Sequence, residues 1–72
     1  MKHFDVLVTV HGATPPRGKA VTGIGYIIKT DSPEDAKQKA LDCAKLTQLQ
    51  HPRKYKNATF SVDDKNVKEF KF

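Results

Sequence analysis

Cysteine occurs once in this 72-residue chain, as Cys43. No disulfide can form within the chain, and a reducing compartment, the cytoplasm, is expected. Long apolar runs are missing too. None approaches the roughly 20 residues that a membrane-spanning helix needs, and the N-terminal segment alternates apolar with polar residues where a signal peptide would be continuously apolar. No association with a membrane is expected. Linkers, repeats and low-complexity stretches are absent, and 72 residues leave no room for a second core, so residues 1–72 read as a single domain. Acid is in short supply: eight Asp and Glu stand against thirteen Lys and Arg, giving a net charge of +5.

Recognisable catalytic machinery is missing as well. The nearest approach to a phosphate-binding loop runs from Gly12 to Gly18-Lys19. Five residues intervene where that motif has four, Pro15 and Pro16 lack N–H groups, and Ala20 stands where a magnesium-binding hydroxyl would be. Gly23-Ile-Gly25 lacks the third glycine of a dinucleotide fingerprint. His3 and His11 share a strand face but lie about 26 Å apart at roughly 3.3 Å per residue, and His51 belongs to a separate loop, so no metal site is expected. Cys43 falls on the apolar stripe of a helix and reads as a small core residue, since a nucleophile would need a nearby base and exposure. Capping and a turn explain the acid pairs Glu34-Asp35 and Asp63-Asp64. The chain is therefore expected not to be an enzyme, and to take no cofactor and no small-molecule substrate.

What the chain does carry is a clear pattern of elements. Residues 2–11 alternate at period two, with Phe4, Val6, Val8 and Val10 on one side and His3, Asp5, Leu7, Thr9 and His11 on the other. Residues 12–19 hold two glycines and two prolines and read as a loop. Residues 20–30 form a second β-rich run with Ile24, Tyr26 and Ile28 on its core face, unless the glycines mark a bulge that reverses the parity. Asp31-Ser32-Pro33-Glu34-Asp35 announces a helix: Ser32 is the cap, Pro33 suits the first turn, and the acids complement the positive end of the helix dipole.

The helix is predicted over residues 33–50, stopping before Pro52. Its stripe of Ala36, Ala40, Cys43, Ala44 and Thr47 is narrow, with Leu41 and Leu46 flanking it and Leu49 packing on the loop that follows. Residues 58–62 and 67–72 are predicted to pair as a hairpin across 63–66, with Asn66 left-handed and Phe60, Val62, Phe70 and Phe72 on the core face. The order is ββαββ. The fold class is α+β: a two-layer sandwich whose four-stranded antiparallel sheet, in the order 2-1-3-4, carries one helix on one face.

Two surfaces remain as candidates for function. The first is basic. Arg53, Lys54, Tyr55 and Lys56 share one loop, Arg17 and Lys19 another, and the predicted topology puts both loops at one end of the sheet. Cations around an aromatic are the usual footprint for phosphate contact and base stacking. The second is the strand from Ala20 to Ile28, which lacks charge and proline and would stand at the sheet edge. Val21, Thr22, Ile24, Tyr26 and Ile27 mark it as an interaction edge open to another chain. The uncovered face beside it is expected to carry Leu7, Val21, Ile27 and Val67.

The leading expectation is a small non-enzymatic protein whose basic surface contacts nucleic-acid backbone without strong sequence preference. The alternative is a protein-interaction module working through the second strand, either as a homodimer or as an inhibitor of a host complex. Phage and mobile elements carry small accessory proteins of this kind, which is an analogy from size and topology alone.

Overall fold

A computed structural model describes residues 2–70. The elements are β1 (Lys2–His11), β2 (Gly23–Thr30), α1 (Pro33–Gln50), β3 (Thr59–Ser61), a single 3-10 turn (Asp64–Asn66) and β4 (Val67–Phe70). The architecture is the α+β sandwich read from the pattern, with four antiparallel strands and one helix. Its strand order is 2-1-3, with β4 bonded to β1.

β1 and β2 pair without a break from Lys2↔Thr30 to Thr9↔Gly23. The glycines therefore make no bulge. Ile24, Tyr26 and Ile28 lie opposite Val8, Val6 and Phe4 on the helix side. Strand β2 begins at Gly23, later than the sequence run; the residues before it lead in from the loop, although the Val10 N–H still donates to the Thr22 carbonyl at 3.0 Å.

Ser32 caps α1 as expected. Its backbone is extended, and its hydroxyl accepts from the Asp35 N–H at 3.1 Å. The Asp35 carboxylate does not close a capping box. It accepts from the Thr30 hydroxyl and pairs with Lys39 at 3.1 Å, one turn on. The hydroxyl bond, reinforced by Lys39, holds the Asp35 carboxyl below its ordinary range. Ala36, Ala40 and Ala44 are wholly buried against Phe4, Val6, Val8 and Ile28. Methyl-sized side chains let the helix backbone sit close, and the sheet supplies the bulk. The Tyr26 hydroxyl reaches Thr47 at 2.8 Å across this seam. Leu49 does not pack on the loop; like Leu46 it stands exposed.

The predicted hairpin is not formed. β3 pairs with the end of β1 (Val10↔Phe60) and β4 with its start (Val6↔Val67), so the two strands follow one another along the same side of β1. The intervening 3-10 turn carries the chain forward instead of reversing it, closed by the Asn66 N–H on the Asp63 carbonyl at 3.0 Å. Among the described residues Asn57, with φ of 62°, is the non-glycine residue in the left-handed region, not Asn66. The extra residues of the turn also change the parity. Val67 packs on the helix side with the main core, whereas Phe70 lies opposite His3 on the uncovered face, with ring centroids 5.8 Å apart. These are corrections for both residues. The expectation for Phe72 falls outside the described residues.

Candidate nucleic-acid interface

At the end where β1 finishes, a second small core forms beneath the loops. Val10, Ala13, Tyr55 and Ala58 are buried there, with Val21, Ile24 and Phe60 against them. The loop after the helix is tightly built around this core. The Tyr55 N–H donates to the His51 carbonyl at 3.2 Å and the Ala58 N–H to the Tyr55 carbonyl at 3.0 Å. The Gln48 amide reaches from the helix to both the Tyr55 and Ala58 carbonyls, at 2.9 and 3.2 Å.

The loop between β1 and β2 is strapped to it. The Thr14 N–H donates to the Lys56 carbonyl at 2.8 Å, the Thr14 hydroxyl to the same carbonyl at 3.2 Å, and the Asn57 amide to the Thr14 hydroxyl at 3.1 Å. Gly12, at φ +70°, makes the turn that brings the backbones together; a Cβ there would sit 3.6 Å from the Asn57 carbonyl oxygen.

The strapped loops enclose an open groove of about 780 Å³ lined by Pro15, Pro16, Arg17, Lys19, Arg53 and Lys54. A smaller hollow of about 260 Å³ adjoins it, lined by Thr14, Pro16, Arg53 and Lys56. All five cations expected from sequence are thus gathered at one end of the sheet, and all five residues are exposed. Tyr55 is not available with them. It is 5% exposed, its ring is tilted on Phe60 at 6.3 Å between centroids, and Lys54 Nζ lies 5.7 Å above it. The expected base-stacking role for Tyr55 is corrected: burial makes it the anchor of the loop.

Charge is segregated along the molecule, and the sequence carried a signal for this that composition alone hid. Residues 6–30 contain no acid, and neither do residues 43–62. These are the two stretches that supply the groove. Among the described residues none of Arg17, Lys19, Arg53, Lys54 and Lys56 makes an ion pair. The pairs lie elsewhere: Lys37 with Asp64 at 2.8 Å, Lys39 with Asp35 at 3.1 Å, Lys2 with Glu69 at 3.5 Å and Lys65 with Asp63 at 4.0 Å. Hydrogen bonding between Lys37 and Asp64 pushes the lysine up and the carboxyl down from their ordinary values. The molecule is 39 Å long and about 20 Å wide, so its ends are separated by several Debye lengths at physiological salt, each about 8 Å. The basic end is not neutralised by the acids around the helix start.

The residues expected to form an interaction edge are split. Val21, Ile24 and Tyr26 are half-buried toward the core, while Thr22 is exposed and Ile27 is 60% exposed on the uncovered face. On that same face His11 Nε2 and Ser61 Oγ are 2.7 Å apart, both exposed, tying β1 to β3. No group of three or more His, Cys, Asp or Glu side chains suited to a metal ion occurs among the described residues. No helix among them is long and apolar enough to cross a membrane.

The chain matches no protein-family profile, no curated protein and no solved structure.

Proposed function

We propose that this protein binds the phosphate backbone of nucleic acid in the groove between its two basic loops, without strong sequence preference and without catalysis, in the cytoplasm. The observation that carries this reading is the convergence of Arg17, Lys19, Arg53 and Lys54 on one groove, with Lys56 beside it and no ion pair to any of them among the described residues. Unpaired cations on a pre-ordered surface gain most from a polyanion, because the phosphates release condensed counterions and the loops lose little freedom on binding. The hydrogen bonds between Thr14, Lys56 and Asn57 supply that order. With Tyr55 buried, the groove has no aromatic platform, so backbone contact should dominate and duplexes should bind at least as well as single strands.

Titration of fluorescent duplex and single-stranded oligonucleotides across salt concentrations tests it. Five phosphate contacts correspond to a slope of log affinity against log salt near −4.5 on duplex DNA, at about −0.9 per contact. Replacing Arg53 and Lys54 with Gln should flatten the slope by about 1.8 and weaken all sequences alike. No binding at low salt, or a slope unchanged in that variant, rejects the reading.

A further inference from the structure

The two edges of the sheet are not alike. On one side of β1, the outer strand is broken by the 3-10 turn and carries Lys68 and Glu69 on β4. Such breaks and charges blunt an edge against further pairing. On the other side, β2 is the last strand among the described residues, and Gly23 to Ile28 contains neither charge nor proline.

The direction of its free backbone groups follows from one bond. The Val10 N–H donates to the Thr22 carbonyl directly opposite it, so Thr22 is a hydrogen-bonding position toward β1. Antiparallel ladders alternate, so Ile24, Tyr26 and Ile28 also turn their backbone groups to β1. Gly23, Gly25, Ile27 and Lys29 turn theirs outward.

We infer that this edge pairs with the same edge of a second copy of the chain, forming a two-fold homodimer with one continuous sheet. Three features select a second copy as the occupant. The antiparallel register that uses all four outward residues sets Gly23 against Lys29 of the second copy and Gly25 against Ile27 of the second copy. Each side chain that protrudes on the uncovered face then lies beside a residue with no Cβ, and a Cβ at Gly25 would itself have nothing within 4 Å in the monomer. The open space is at Gly25, opposite Ile27 of the second copy, while at Gly23 Leu7 Cδ1 already lies 3.3 Å from where a Cβ would stand; the match is with itself. The third feature is charge. β2 starts at the end of the sheet that carries the loop of Arg17 and Lys19, and finishes at Lys29 and the turn of Asp31, Glu34 and Asp35, the last already paired with Lys39. Antiparallel pairing keeps the two basic loops at opposite ends of the seam, each along the end of the other copy that carries Asp31 and Glu34 as well as Lys29, so the charges of two chains of net +5 are spread rather than set like against like.

Nucleic acid plays no part in this association, so it is tested in its absence. Sedimentation equilibrium from micromolar to millimolar protein should show a species of twice 8.1 kDa. Ile27→Pro removes an N–H that makes no bond within the monomer, and should raise the dimer dissociation constant by at least about tenfold. Gly25→Lys sets two like charges diagonally across the two-fold axis and should do the same; it decides the matter if the proline variant fails to fold. Amide exchange gives an independent reading: the N–H groups of Gly23, Gly25, Ile27 and Lys29 should exchange slowly in the dimer and quickly on dilution. A wild-type protein that stays monomeric at millimolar concentration overturns the proposal. So does a dimer that persists in Gly25→Lys, or one that leaves those four amides unprotected.

Discussion

Replacing Tyr55 with Ala separates an anchor from a ligand-binding aromatic. The ring is buried among Val10, Ala13, Ala58 and Phe60 at the basic end, and both the helix and the neighbouring loop are bonded around it. Truncating a buried aromatic to Ala removes its transfer free energy and leaves a cavity, for a loss of about 3–5 kcal/mol. A domain of this size has a total stability of roughly 4–11 kcal/mol at about 0.05–0.15 kcal/mol per residue. The variant should therefore lose between about a quarter and all of its stability. At about 4–8 °C per kcal/mol for a small domain, Tm should fall by at least about 12 °C. Tyr55→Phe keeps the ring and should melt within a few degrees of wild type. Urea unfolding followed by far-ultraviolet circular dichroism measures all three proteins. A loss under about 1 kcal/mol in Tyr55→Ala would refute the burial argument, because no well-packed aromatic is that inexpensive to remove. A folded variant that lost single-strand affinity alone would restore the stacking role.

Ala40→Leu should destabilise by about 1–3 kcal/mol in the same assay, since the closely seated helix has no space for three further carbons; an unchanged midpoint would mean the stripe is not in contact with the sheet. Asn57→Ala places an ordinary residue in the left-handed region and removes the amide bond to Thr14, so a loss of about 1–2 kcal/mol is expected, together with faster exchange of the Thr14 amide. Protonation matters at both extremes of pH. The Asp35 carboxyl, lowered by its bonds to Thr30 and Lys39, and the Asp64 carboxyl, lowered by Lys37, favour the folded state above the ordinary value of 3.8 and lose that contribution as pH falls through their lowered values. Lys37 is raised by Asp64, so its contribution is complete below 10.5 and disappears as pH rises through the raised value. Side-chain NMR titration should find both carboxyls below 3.8, and Lys37→Met should restore Asp64 alone toward it.

Local patterning was enough to specify the helix, its Ser32 cap and the inward face of the first two strands. Those features depend on near neighbours: an alternation of period two, a hydroxyl three residues before an N–H, a stripe of alanines at helical spacing. The meeting of the two basic loops also followed from strand order. What tertiary structure alone decided lies where the chain had two locally acceptable choices. Asp63-Asp64-Lys65-Asn66 suits a reversing turn as well as a forward 3-10 turn, and only the open side of β1 made the forward path bond both β3 and β4. That choice put Val67 on the helix face and Phe70 on the uncovered face, the reverse of the hairpin's parity. Tyr55, set among Arg53, Lys54 and Lys56, looks like an exposed aromatic in a basic loop. It became core because the end of β1, the loop after it and the start of β2 offered Val10, Ala13, Val21 and Ile24, and burying a ring there yields more free energy than leaving it in water.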